Sequence, residues 1–165
     1  MNHHGTAQDE PDEHLRFWAY LSELEQVADA YEADKVREVL TDPVQTMAQA
    51  AVLRHLDRRA AELHSGPAYE SWLEMMTRAT TRFPFLAQRL REWSLVRAVA
   101  LGQSWHPDAL LGSSNWLQLK MAEASHTAAL EILADGGRTK RIRNTALTSL
   151  KRQSRRQPHT NIHKS

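Results

Sequence analysis

Apolar positions recur at spacings of three and four across residues 11–152, and no stretch alternates in the manner of a half-buried strand. Leu15, Trp18, Leu21, Leu24, Val27 or Ala28, and Tyr31 mark one face of a first helix, with Pro11, Asp12 and Glu13 at its start. Val36, Val39 and Leu40 form a short second element. Thr41-Asp42-Pro43 reads as a stop and restart, with Asp42 the expected N-cap of a third helix built on Val44, Met47, Ala51, Val52, Leu56, Ala60 and Leu63. His64-Ser65-Gly66-Pro67 ends that helix. Tyr69, Trp72, Leu73, Met76 and Ala79 predict a fourth, and Phe85, Leu86 and Leu90 resume the pattern after Arg82-Phe83-Pro84.

The second half overlays itself when shifted by 23 residues. Val96-Arg97, Leu119-Lys120 and Ile142-Arg143 are the same apolar-then-basic pair, and Trp93 falls on Trp116. Ala109-Leu110-Leu111 falls on Ile132-Leu133-Ala134, and the breakers Gly112-Ser113-Ser114 fall on Asp135-Gly136-Gly137. Each unit reads as a helix, a break, a shorter helix and a second break. A fixed period in this range marks stacked helical units, because one unit alone cannot bury its apolar face.

With an apolar-Arg helix start and a second helix ending Leu133-Ala134-Asp135, this pattern resembles the leucine-rich variant and HEAT-like α-helical repeats. Val39-Leu40-Thr41-Asp42-Pro43, leading into Met47, Ala50-Ala51-Val52 and Leu56, is similar to a HEAT unit as well. The resemblance covers about residues 34–152 and is strongest over 93–150. It implies a short right-handed solenoid and a binding role, and it names no substrate. Some leucine-rich variant proteins hold an iron–sulfur cluster through a cysteine module, a feature that a chain without cysteine does not share. The expected fold is therefore all-α, with N-terminal helices packed against the solenoid. One helical domain is expected over 11–152, divided into 11–92 and the repeats of 93–152, between a loose acidic tail (1–10) and a loose basic tail (153–165).

Charge adds an end-to-end asymmetry that the net value of +1 conceals. Residues 1–42 carry eleven acids against three bases, whereas residues 136–165 carry nine bases and no acid. Such separation points to an interaction tail, or to pairing of the acidic end of one copy with the basic end of another. No apolar run approaches the ~20 residues of a membrane span, and no secretory signal opens the sequence. The absence of cysteine excludes a disulfide framework, a thiolate zinc site and a cysteine nucleophile. A cytoplasmic protein is expected.

Candidate chemistry is confined to binding. Stacked units would line up Arg97, Lys120 and Arg143, with Arg138, Lys140 and Arg141 beside the last of them and Lys151, Arg152, Arg155 and Arg156 beyond. Such a stripe suits phosphates along a nucleic acid backbone. For Arg97 and Lys120 the repeat resemblance also implies hydrogen bonding to a loop acid or carbonyl of the neighbouring unit, and for the cluster from Arg138 to Arg156 the other reading is a solvated helix face. Trp93 and Trp116 fall at core positions, while Trp105, in Gln103-Ser104-Trp105-His106-Pro107, is the expected exposed anchor. His106 and His126 stand at the expected starts of the second helices.

Nine histidines show no three- or four-ligand spacing, so no metal is expected. Neither a nucleophile elbow nor a phosphate-binding glycine loop is present, and the chain is expected to be non-enzymatic and free of cofactors. The expected function is an α-helical repeat scaffold for a protein partner. The alternative is a nucleic-acid-binding protein using the basic stripe and the basic C-terminal helix.

Overall fold

A computed structural model describes residues 6–156, with side chains from Asp12 onward. The described residues are helical or irregular, without a strand. The helices are α1 (Thr6–Gln26), α2 (Glu32–Val39), α3 (Gln45–Leu63), α4 (Tyr69–Ala79), α5 (Pro84–Ala100), α6 (Pro107–Leu111), α7 (Asn115–Ala122), α8 (Thr127–Gly136) and α9 (Lys140–Arg156). A single 3-10 turn, Asp29–Tyr31, precedes α2. The chain forms two compact units, Met1–Trp93 and Ser94–Ser165, dividing within α5.

In the first unit α1 packs on α3, and α2 packs on α4, α1 and α3. Its core gathers Leu24, Val36, Val52, Leu56, Tyr69, Met76, Leu86, Leu90 and Trp93, all buried. The first-helix stripe is corrected here: Leu15, Trp18 and Tyr31 are exposed, at 66%, 49% and 65%. Leu21, Leu24 and Val27 face inward as expected, and Phe17 and Tyr20 complete the inward stripe where Leu15 and Trp18 were expected. A polar anchor selects this rotation. Asp42 is buried and accepts from Arg16 Nε (3.0 Å), Arg16 Nη2 (3.2 Å) and the Tyr20 hydroxyl (2.7 Å).

Asp42 is also not the N-cap of α3, because Val44 occupies that position. The Asp42 carboxylate instead closes an Asx turn, accepting from the Val44 backbone N–H at 2.9 Å. Hydrogen bonds from Arg16 lower the Asp42 pKa to about 2 against the opposing effect of burial, with help from Tyr20 and the Val44 amide. The start of α1 differs too, since the helix begins at Thr6 and Pro11 lies inside it. Ala7, Gln8 and Glu10 are good helix formers, and they carry the helix past the proline. Residues 1–5 and 157–165 of the two expected tails lie outside the described residues.

A second buried carboxylate organises the first unit. Glu32, 2% exposed, accepts from His55 Nε2 (2.7 Å), Trp72 Nε1 (2.9 Å) and two nitrogens of Arg59 (3.2 Å each). These groups come from α2, α3 and α4. Burial alone would raise its pKa, but the hydrogen bonds from His55, Arg59 and Trp72 and the charge of Arg59 prevail, holding it at about 2.

In the second unit α6 packs on α8, and α7 packs on α9 as well as on α8. Leu110, Leu117, Met121, Leu130, Leu133, Ile142 and Ala146 are among its buried apolar residues. His106 and His126 are the N-caps of α6 and α8, as their positions predict, and His106 Nδ1 accepts from the Asp108 amide at 3.0 Å. Gly102 ends α5 at φ +66°, a left-handed conformation that favours glycine. Gly137 turns the chain into α9 where a Cβ would lie 2.6 Å from the Leu133 carbonyl oxygen.

Gln118, fully buried on α7, joins the corners of this unit. Its amide nitrogen donates to the carbonyls of Leu110 (3.3 Å), Leu111 (2.9 Å) and Ser113 (3.3 Å). Its oxygen accepts from the Arg138 backbone N–H at 2.9 Å. Truncating it takes a partner from the Arg138 N–H and from the Leu111 and Ser113 carbonyls, while the Leu110 carbonyl keeps the Ser113 N–H and hydroxyl. Gln118→Ala is expected to destabilise the protein by about 2 kcal/mol, read from urea unfolding followed by circular dichroism. A change below about 0.5 kcal/mol would mean that water replaces the amide without loss.

Candidate nucleic-acid interface

The interface is built on α9. Ile142 and Ala146 are buried; Leu150 and Gln153 are half-buried on the inward side. The 3.6-residue period then turns Lys140, Arg141, Asn144, Thr148, Lys151, Arg152 and Arg155 outward, all exposed. Arg156, at the end of the helix, is exposed as well. The helix runs to Arg156, four residues beyond the expected boundary at 152, because Gln153 is anchored. Its amide nitrogen donates to the Ser125 carbonyl, and its oxygen accepts from the Thr127 hydroxyl at 3.0 Å. That anchor holds Lys151, Arg152, Arg155 and Arg156 on an ordered helix, where part of a loose tail was expected.

Among the described residues, none of Lys140, Arg141, Lys151, Arg152, Arg155 and Arg156 takes part in a salt bridge. The first turn of α9 contains no acid, although Lys140 and Arg141 stand there. Bases at this end oppose the helix dipole, where acids are the stabilising choice. The Thr139 hydroxyl caps the turn, accepting from the Ile142 N–H at 3.1 Å. A shallow recess of about 550 Å³ runs along this side, lined by Arg141, Asn144, Thr145, Thr148, Arg152 and, from the end of α7, Glu123. The sequence reading passed over Asn144, Thr145 and Thr148. Their helical spacing from Arg141 was the signal that could have placed them on the same side.

The other candidates lie elsewhere. Arg143 is half-buried and its Nη1 donates at 2.8 Å to the Gly137 carbonyl in the loop just before α9. Lys120 is half-buried on α7, with its Nζ 6.0 Å from the centre of the Trp116 ring. Arg97 is half-buried on α5. Arg138 is exposed just before α9, with its backbone N–H held by Gln118. Trp105, expected to be exposed, is half-buried in the connection between α5 and α6. Trp93 is buried as expected, its indole N–H donating to Asp57 at 2.8 Å, whereas Trp116 is half-buried.

Among the described residues no cluster of three or more His, Asp and Glu is placed to hold a metal ion. None of their helices is long and apolar enough to cross a membrane. No protein-family model matches the chain, and neither a curated protein nor a solved structure matches it.

Proposed function

We propose that this chain is a non-enzymatic binding protein whose α9 face holds the phosphate backbone of a nucleic acid. The observation that carries the reading is the row of exposed cations on α9 without a counter-ion among the described residues. Arg141 and Arg152 stand eleven residues apart, about 16 Å along the helix, with Asn144 and Thr148 between them. Amide and hydroxyl groups beside arginines are the side chains that contact phosphate and sugar. The one large apolar residue exposed on α9, Leu147, is little for a protein interface to bury. As scaffold for this helix we propose a short right-handed solenoid over 93–152. Packing of α6 on α8 and of α7 on α9 supports it, because these are the equivalent helices of successive 23-residue units. The cytoplasm is the proposed location.

The test is fluorescence anisotropy with mixed-sequence single- and double-stranded DNA and RNA, on the full chain. The comparison is with the triple variant Arg141→Glu, Lys151→Glu, Arg152→Glu. Binding should weaken linearly in log–log salt plots, with a slope that falls by about 0.9 for each phosphate contact removed. Equal slopes for the two proteins, or no binding at ~50 mM salt, would refute the reading.

A protein-scaffold reading has its own observation. In the first unit a recess of about 450 Å³ has Leu40, Ala79 and Phe83 as its apolar floor and Arg37, Arg78 and Arg82 around it. It suits an acidic partner that buries an apolar side chain, and binding that Arg82→Glu weakens while the α9 triple variant keeps it distinguishes it from phosphate-backbone binding.

A further inference from the structure

Across from the Glu32 cluster, α3 and α1 enclose a second recess, of about 300 Å³. Trp18, Leu21, Ser22 and Glu25 line it from α1, and Arg54, His55 and Arg58 line it from α3. His55 is 2% exposed, and its ring has a defined role. Glu32 is ionised and can only accept, so the His55 nitrogen 2.7 Å away, Nε2, carries the proton. In the neutral ring Nδ1 then offers a lone pair, and Arg58 Nη2 donates to it at 3.0 Å. Arg58 Nη1 also reaches Glu62 at 3.5 Å. Glu32 thus acts through His55 to hold the Arg58 guanidinium at the recess, which makes His55 a positioning residue.

Arg54 lies one helical turn before Arg58. Its guanidinium carbon sits 5.4 Å from the centre of the Trp18 ring, and the Trp18 N–H donates to His14 at 3.0 Å. Two guanidinium groups, each with N–H donors beyond those engaged here, face one small space beside an indole and a leucine.

We propose that this recess binds a small apolar carboxylate, its carboxyl group bridging Arg54 and Arg58 and its apolar body lying along Trp18 and Leu21. Guanidinium forks match a planar carboxylate, and the volume is at the small end for ligand sites. Glu25 on the opposite wall selects against a second negative charge, which favours a monocarboxylate over a phosphate dianion. The site is independent of the α9 face and stands or falls separately.

The experiment is a titration of the nitrogen-15-labelled full chain with benzoate, following the Trp18 indole and the Arg54 and Arg58 side-chain signals. Inorganic phosphate and cyclohexylammonium serve as the comparison probes. Benzoate should give saturable shifts at millimolar concentration. Arg58→Gln should weaken binding by about tenfold or more, and Arg54→Lys, which keeps the charge and loses the fork, should weaken it as well. Backbone signals away from the recess verify that each variant is folded. Three results would each overturn the proposal: no saturable shift up to ~20 mM benzoate, unchanged affinity in both variants, or phosphate binding as tightly as benzoate.

Discussion

Replacing Glu32 with alanine is expected to lower the unfolding free energy by about 3–5 kcal/mol, the largest effect of any single substitution considered. The wild-type carboxylate, 2% exposed, is the common acceptor for His55, Arg59 and Trp72. Removing it takes the acceptor from two buried N–H groups and one of three carboxylates from the Arg59 guanidinium, which keeps Asp29 at 3.2 Å and Glu62 at 3.4 Å. Arg59 is largely sheltered, at 17% side-chain exposure, so water cannot fully replace the partner. Glu32→Gln should cost less, since it keeps one acceptor oxygen, but its amide presents N–H groups to donors. Urea unfolding of both variants checks the order. The exposed control Glu38→Ala, which removes only a surface pair with Lys35, should change stability by under about 1 kcal/mol. A Glu32→Ala loss as small as the control's would show that the cluster contributes no net stability.

Acid should destabilise the protein through the same carboxylate and through Asp42. Both pKa values are about 2 in the folded chain, against ordinary values of 4.5 for Glu and 3.8 for Asp. The unfolded chain therefore takes up protons first as pH falls. The stability these groups contribute is fully present above about pH 4.5 and is lost progressively toward pH 2. The downward shift is larger at Glu32, so it is the greater contributor to the acid response. Unfolding free energies measured at intervals from pH 6 to pH 2.5 should fall steeply below about pH 4.5. Glu32→Gln should flatten that slope, and so should Asp42→Asn, whose wild-type carboxylate ties Arg16 and Tyr20 of α1 to the start of α3. Equal slopes in wild type and Glu32→Gln would remove Glu32 from the acid response.

Helical periodicity made α3 and α4 legible almost residue by residue. The third run was read from Val44 to Leu63 and the fourth from Tyr69 to Ala79, and the observed helices are Gln45–Leu63 and Tyr69–Ala79. Both are bounded by breakers whose effect is local to the backbone. The basic character of α9 was legible, but not its outward face: Arg143, read into the cation column, is half-buried, because Ile142 and Ala146 turn inward. The rotation of α1 was not legible either. Leu21, Leu24 and Val27 were read on the inward face, but Leu15 and Trp18 extend that stripe as well as Phe17 and Tyr20 do, and periodicity alone cannot choose between the two flanks. The choice rests on Asp42, a partner 26 residues from Arg16 and 22 from Tyr20.

The candidate sites divide in the same way. Nine bases without an acid over residues 136–165 announce the basic character of α9 in any conformation, since no acid within that segment can offset the charge. The Glu32 cluster and the recess beside it had no such signal. Glu32, His55, Arg59 and Trp72 are each ordinary in their local sequence, and the partners of Glu32 lie 23, 27 and 40 residues away. The sequence by itself determined what depends on neighbours along the chain: an all-helical fold, most helix ends and a basic C-terminal helix. Tertiary structure alone decided which buried carboxylates gain partners and which arginines they hold in place. Those outcomes depend on desolvation and on hydrogen bonds between separate helices, and neither exists until the helices pack.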